Sequence, residues 1–66
     1  MEIVINGTPH LVADETSLDL AVALISTAPR GIAAALNGEV VRRASWPRTR
    51  LAPGDEVEVL TAVQGG

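Results

Sequence analysis

Several residue types are missing from this chain of 66 residues, and each absence narrows what the protein can do. There is no cysteine, which excludes disulfides, thiolate nucleophiles and cysteine metal sites. Phenylalanine and tyrosine are absent and tryptophan occurs once, so the core must be aliphatic. No apolar run approaches the roughly 20 residues that span a bilayer. The opening Met1-Glu2-Ile3-Val4 lacks the basic region of a signal peptide, so we expect a soluble, cytoplasmic protein without membrane partners.

Lysine is also absent, and all five cations are arginine. Four of them lie within nine residues that contain no acid: Arg42, Arg43, Arg48 and Arg50. Such a cluster can bind nucleic acid. The net charge of −3 and the shortage of aromatic stacking residues argue against nucleic acid as a partner. A solvated loop and a contact with an acidic partner protein both remain open for the cluster.

The apolar residues, 47% of the chain, are arranged mainly as short strands. Residues 1–12 are predicted to form a β-hairpin around Asn6-Gly7, a pair typical of type I′ turns. Pro9 cannot donate a ladder hydrogen bond, which places the second strand at a sheet edge. Residues 32–36 predict a strand buried on both faces, and residues 39–42 a short strand after the Asn37-Gly38 turn.

The last third of the chain predicts a loop, a turn and a final strand. Residues 44–49 are expected to form a loop or one helical turn, in which Trp46 plugs the core. Pro53-Gly54 fits a type II turn. Residues 56–60 alternate between acidic and apolar side chains, so the two valines should face the core and the two glutamates the solvent.

One helix is predicted from Ser17 to Ser26 or Thr27, with Thr16 as the N-cap and Asp19 completing a capping box. Helical spacing directs one stripe to the core: Leu18, Ala21, Val22 and Ile25. Leu20 and Leu24 form a second stripe, which either covers the flank of the core or contacts a partner. The order strand, strand, helix, strand, strand, turn, strand predicts an α+β fold. A chain this short forms one domain, residues 1–66.

The chain ends in Val63-Gln64-Gly65-Gly66. Two glycines make the least hindered end that a polypeptide can have, because neither carries a Cβ. Such an end could enter a narrow channel and present a carboxylate to another protein's active site. A frayed terminus is the alternative. We expect residues 62–66 to form a flexible tail on a compact body.

Motifs along the whole chain resemble the ThiS family, the sulfur carrier proteins of thiamine thiazole synthesis. The shared motifs are the opening strand into Asn6-Gly7, a leucine-rich helix after Asp14-Glu15-Thr16, the run from Ala35 to Val41, Arg43 with Trp46, Leu51, Gly54-Asp55-Glu56-Val57 and Val63-Gln64-Gly65-Gly66. Two positions depart from the family pattern, since Arg42 stands where proline is common and Ala44 where serine is common. The resemblance implies a ubiquitin-like β-grasp fold, with a mixed sheet of four to five strands packed on one main helix.

The resemblance also implies a carrier rather than an enzyme. Gly66 would be adenylated by an activating enzyme similar to the one that charges ubiquitin, with Gly65 giving clearance. ATP and Mg²⁺ would belong to that enzyme, and no cofactor or metal to this chain. A persulfide, for example on a cysteine desulfurase, would convert Gly66 to a thiocarboxylate, whose sulfur passes to thiazole synthase. A monomer is expected, with partner contacts through Leu60, Val63 and Gln64.

Three alternatives stay open at this point. The same chemistry serves molybdopterin synthesis, although that synthase's small subunits tend to be longer and to carry phenylalanine near the end. It also serves cysteine synthesis. A β-grasp module that binds a partner without chemistry would belong to a different class. A small enzyme is disfavoured, because the chain has a single histidine and no cysteine.

Overall fold

Five strands form one mixed sheet in the computed structural model, which describes residues 1–26 and 31–61. The strands are β1 Glu2–Ile5, β2 Thr8–Leu11, β3 Ile32–Leu36, β4 Glu39–Val41 and β5 Glu56–Thr61. Their order across the sheet is β2-β1-β5-β3-β4. β1 and β5 run parallel, and the other neighbours are antiparallel. One helix, α1 Leu18–Ala23, and a 3₁₀ helix, Arg43–Arg48, complete the predicted element order.

Both Asn-Gly pairs form the hairpin turns that the sequence predicts. Asn6 and Gly7 have φ values of 49° and 81°, as a type I′ turn requires at its two central residues. Asn37 and Gly38 repeat the arrangement at 50° and 87°. β2, which contains Pro9, lies at the edge of the sheet as expected.

The helix is shorter than predicted and begins one residue later. It spans Leu18–Ala23, and its N-cap is Ser17 rather than Thr16. The Thr16 hydroxyl donates instead to the Ala13 carbonyl at 2.6 Å. The predicted capping box is therefore wrong. Ser17 is in extended conformation, and its hydroxyl donates to the Asp19 carboxylate rather than accepting from the helix backbone.

A distant segment explains where the helix starts. Ser17 forms an isolated antiparallel bridge with Arg50. The amide of Leu18 donates to the Thr49 carbonyl at 2.8 Å, and the amide of Leu51 donates to the Thr16 carbonyl at 2.9 Å. This short ladder holds the chain extended through Ser17, so helical backbone can begin only at Leu18.

The core lies between α1 and one face of the sheet, here called the inner face. Its largest fully buried side chains are Ile3, Ile5, Leu18 and Val57. Ala21 and Val22 of α1 join them, but Ile25 is 41% exposed because the helix has already ended. Its predicted place in the core is therefore wrong. Leu20 and Leu24 are exposed, so they do not cover the core flank.

Trp46 closes one end of this core, as predicted, and is 4% exposed. Its indole N–H donates to the Val41 carbonyl at 2.9 Å, which satisfies the polar atom of a buried aromatic side chain. The 3₁₀ helix that carries Trp46 packs against α1. The loop or helical turn expected for this segment is therefore one 3₁₀ helix.

The opposite face of the sheet, here called the outer face, is not covered by any element in the described residues. Val57 and Val59 of β5 point inward and are buried, whereas Glu56 and Glu58 are exposed, which confirms the predicted alternation. The prediction that β3 is buried on both faces is wrong, because Ala33 is exposed on the outer face. None of the described helical residues forms a segment long and apolar enough to cross a membrane.

Asn37 fastens the start of β5 to the turn between β3 and β4. Its side-chain oxygen accepts from the Glu56 amide at 2.9 Å. Its side-chain nitrogen donates to the Asp55 carboxylate at 3.1 Å. The Asn37 backbone amide also donates to the Glu56 carbonyl at 2.7 Å. The beginning of the last strand is thus held by an asparagine from a type I′ turn.

Candidate functional site

The candidate site is the end of β5. In the sequence, the segment that ends in Gly65-Gly66 follows this strand. Leu60 is the one predicted site residue within the described ranges, and it is 64% exposed. The other four, Val63, Gln64, Gly65 and Gly66, lie outside the described residues. The structure therefore defines the root of the terminal segment, which consists of Val59, Leu60 and Thr61.

β3 supports this root along one side. Leu60 lies opposite Ala33 and Thr61 opposite Ile32 in the antiparallel ladder. A shallow depression of about 280 Å³ is lined by Gly31, Ile32, Ala33, Leu60 and Thr61. Ala33 has a small side chain and Gly31 has none, which leaves this depression open beside Leu60. Leu60 therefore presents an apolar side chain next to a concave surface.

The outer face around Leu60 is acidic as well as apolar. Strand alternation places Glu56 and Glu58 on the same face as Leu60. Glu2 joins this face from β1, where Ile3 and Ile5 point into the core. Among the strand residues that the structure describes, this face carries three carboxylates and no arginine. A partner surface that combines apolar groups with arginine or lysine would complement it.

Asn6 holds the other side of the root, a role that was not predicted from the sequence. β1 ends at Ile5. The backbone amide of the next residue, Asn6, still donates to the Val57 carbonyl of β5 at 2.9 Å. The Asn6 side chain then continues the pairing. Its Oδ1 accepts from the Val59 amide at 2.8 Å, and its Nδ2 donates to the Val59 carbonyl at 3.2 Å.

No local signal could have revealed this contact. Asn6 precedes Val59 by 53 residues, and Asn6-Gly7 already fits the pattern of a hairpin turn. The contact depends on β1 and β5 being parallel neighbours, since that register brings the turn after Ile5 beside Val59. Only the tertiary arrangement identifies the asparagine side chain as part of the site.

The arginine cluster is not assembled with Leu60. Its 3₁₀ helix packs against α1, which covers the inner face, whereas Leu60 lies on the outer face. Arg50 pairs with Glu15 at 2.8 Å, and Arg43 lies over the Trp46 ring at 5.0 Å from its centroid. These contacts place the cluster on a different side of the molecule from the root of the terminus.

The described part of the chain offers no catalytic constellation at this place. No group of three or more histidine, aspartate or glutamate side chains within residues 1–26 and 31–61 could hold a metal ion. The root supplies a buried valine, an exposed leucine and an exposed threonine. Such a surface can dock on a partner and present the segment that follows it.

Comparisons with known proteins agree with this geometry. A crystal structure of the thiamine biosynthesis protein ThiS from Geobacter metallireducens has a TM-score of 0.82 and 33% sequence identity, and all of each chain is covered. A solution NMR structure of a thiamine biosynthesis protein from the same organism has a TM-score of 0.75 and 33% identity, over 100% of this chain and 88% of the other. No curated protein sequence matches.

These likenesses confirm the ubiquitin-like β-grasp fold that the motifs imply. The model of the ThiS family matches residues 3–66, which is almost the entire sequence and includes the two final glycines. The chain belongs to the ThiS family.

Proposed function

We propose that this protein is a sulfur carrier of thiamine biosynthesis, with Gly66 as the residue that carries the sulfur. The observation that supports the proposal is the family match over residues 3–66, a range that includes Gly65 and Gly66. The two solved relatives are both thiamine biosynthesis proteins.

The proposed chemistry begins with activation of a poor electrophile. The Gly66 carboxylate attacks the α-phosphorus of ATP and displaces pyrophosphate, in a site of the activating enzyme that also holds Mg²⁺. The resulting acyl adenylate reacts with a persulfide, such as one on a cysteine desulfurase, and AMP leaves. A thiol then cleaves the sulfur–sulfur bond and becomes part of a disulfide. Gly66 is left with a thiocarboxylate.

The thiocarboxylate is the form in which the chain delivers sulfur. Its sulfur is a soft nucleophile that stays covalently bound, so it is not lost as free sulfide. Thiazole synthase is the proposed acceptor, which incorporates the sulfur into the thiazole ring. The chain itself contributes no resident cofactor in this scheme. Its contribution is to bring Gly66 to two active sites in turn.

The folded body serves this delivery by presenting a docking surface beside the terminus. Leu60 and the depression next to it supply apolar contact, and Glu56 and Glu58 supply charge on the same face. Five residues follow Thr61 in the sequence and span at most about 18 Å when extended. A partner that receives Gly66 must therefore dock close to Leu60. We propose that Val63 and Gln64, which lie between Leu60 and Gly66 in the sequence, also contact the partner.

Intact mass spectrometry tests the carrier function. The chain is incubated with the adenylating enzyme encoded in the same genome, ATP, Mg²⁺ and a persulfide donor. We expect a mass increase that corresponds to the replacement of one oxygen by sulfur. A chain without Gly66 and a chain with alanine appended after Gly66 should show no increase, because both alter the terminal carboxylate. A wild-type chain that forms neither adenylate nor thiocarboxylate would contradict the proposal.

The acceptor is tested with the thiocarboxylated chain. Mixed with thiazole synthase and its other substrates, the chain should return to its original mass as the thiazole product forms. The uncharged chain is the matched control and should give no product. A charged chain that keeps its sulfur with thiazole synthase but loses it to a molybdopterin or cysteine synthase would reassign the pathway and leave the carrier chemistry intact.

A further inference from the structure

We propose that Asn6 is a positioning residue for sulfur loading, because its side chain fixes the point at which the terminal segment leaves the folded body. This inference rests on the proposed carrier function. The proposed chemistry takes place at Gly66, which lies outside the described residues. Asn6 acts through Val59, the last buried residue of β5.

The geometry shows why one side chain has this effect. β3 holds β5 on one side as far as Thr61. On the other side, the register between β1 and β5 covers only Val4 with Glu56 and Ile5 with Val57. Beyond Val57 that side of β5 would be unpaired. The Asn6 carboxamide presents one acceptor and one donor to Val59 and so imitates one more residue of β1.

The contact sets the length of chain that must be ordered in a partner's active site. β5 is held on both sides to Val59 and by β3 to Thr61, and five residues follow Thr61 in the sequence. Without the Asn6 side chain, β3 alone would hold Val59 to Thr61, and each opening of that ladder as far as Val57 would lengthen the segment to nine residues. A longer segment lowers the effective concentration of its end at a fixed site. It also increases the conformational entropy that binding must remove.

Asn37 provides a matched control within the same chain. Both asparagines have positive φ in type I′ turns, and both bond to β5 through their side-chain amides. Asn37 holds the start of the strand at Glu56, whereas Asn6 holds it at Val59, close to its end. Replacement of either by glycine keeps the turn conformation, since glycine tolerates positive φ. Asn6→Gly and Asn37→Gly therefore lose similar contacts at opposite ends of one strand.

Amide hydrogen exchange on the full chain tests the structural step without any partner. In Asn6→Gly we expect exchange at Val59 to accelerate about fivefold, as the loss of about 1 kcal/mol of local hydrogen bonding implies. In Asn37→Gly the acceleration should be at Glu56 and not at Val59. Unchanged exchange at Val59 in Asn6→Gly would overturn the proposal.

Steady-state adenylation by the activating enzyme tests the positioning step. We expect Asn6→Gly to lower kcat several-fold, up to about tenfold, with little change in KM, because docking through Leu60 is intact. A merely structural defect would reduce the folded fraction of the carrier and raise the apparent KM at unchanged kcat. Asn37→Gly should therefore keep the wild-type kcat. Asn6→Asp retains an acceptor for the Val59 amide and should restore part of the kcat.

The two proposals fail in different ways. A wild-type chain that is never adenylated overturns the carrier function itself. A wild-type chain that is adenylated, together with equal kcat values for Asn6→Gly and Asn37→Gly, overturns only the role of Asn6. A lower kcat for Asn6→Gly that Asn6→Asp partly restores supports both.

Discussion

Leu60 lies directly opposite Ala33 in the ladder between β5 and β3, and both point to the outer face of the sheet. The alanine is too small to cover its neighbour, so Leu60 keeps 64% of its surface exposed. An exposed leucine by itself is ordinary on a protein surface. This one borders a depression and stands six residues before Gly66, which makes it a suitable anchor for a partner that must also receive the terminus.

Replacement of Leu60 by serine should weaken docking without affecting chemistry. We expect KM for adenylation to rise about tenfold with kcat unchanged, because the interaction contributes equally before and in the transition state. Folding stability should change by less than about 0.5 kcal/mol, since the side chain is mainly solvated. Steady-state kinetics and urea denaturation measure the two effects.

Leu24→Ser is the control for this prediction. Leu24 is 56% exposed, similar to Leu60, but it follows α1 on the other side of the sheet. The Leu24→Ser substitution should leave KM for adenylation unchanged. The opposite result, a raised KM for Leu24→Ser and a normal one for Leu60→Ser, would move the docking surface to the helix side.

The carboxylate of Glu58 should steer a basic partner toward the outer face. Glu58 precedes Leu60 by two residues and shares its face. We expect Glu58→Gln to slow association with the activating enzyme by at least about twofold near 0.05 M salt, with the effect disappearing near 0.5 M. Stopped-flow measurement of the association rate checks this. Glu39→Gln, on the edge strand β4, is the control, and an equal effect from both would indicate a response to net charge only.

Much of the fold could be predicted because its signals are local. Each Asn-Gly pair specifies a turn through the φ values of two adjacent residues. The alternation in β5 specifies which valines face the core, and Pro9 specifies an edge strand. The family motifs supplied the β-grasp arrangement of these elements. None of these inferences required knowledge of a distant contact.

The helix start and the role of Asn6 could not be predicted, because distant contacts decide the local structure there. The helix starts at Leu18 because Ser17 is paired with Arg50, a residue 33 positions later. The hydrogen bonds between Asn6 and Val59 depend on β1 and β5 being neighbours. Leu60 is exposed, and its role as a partner contact stays a prediction. The support of the strand end by Asn6 could not be read from the order of residues.

The early end of the helix has a measurable consequence for stability. Val22 is buried, whereas Ile25 lies beyond the end of α1 and is partly exposed. We expect Val22→Ala to lower the free energy of unfolding by about 2 kcal/mol, from the loss of buried methyl groups. Ile25→Ala should cost less than about 1 kcal/mol, although it removes more carbon. Equal losses in urea denaturation would place Ile25 in the core, as the helical periodicity first indicated.

Trp46 should contribute more to stability than any exposed residue, through packing and through one hydrogen bond. Trp46→Ala leaves a cavity at the end of the core and should cost about 3 to 5 kcal/mol, enough to unfold much of a domain this small. Trp46→Phe keeps most of the apolar contact but loses the donor to the Val41 carbonyl, so we expect a loss of about 1 to 2 kcal/mol. Far-UV circular dichroism during urea denaturation measures both, because each variant lacks the tryptophan needed for fluorescence. A Trp46→Phe chain as stable as the wild type would show that packing alone, without the indole hydrogen bond, stabilises this end of the core.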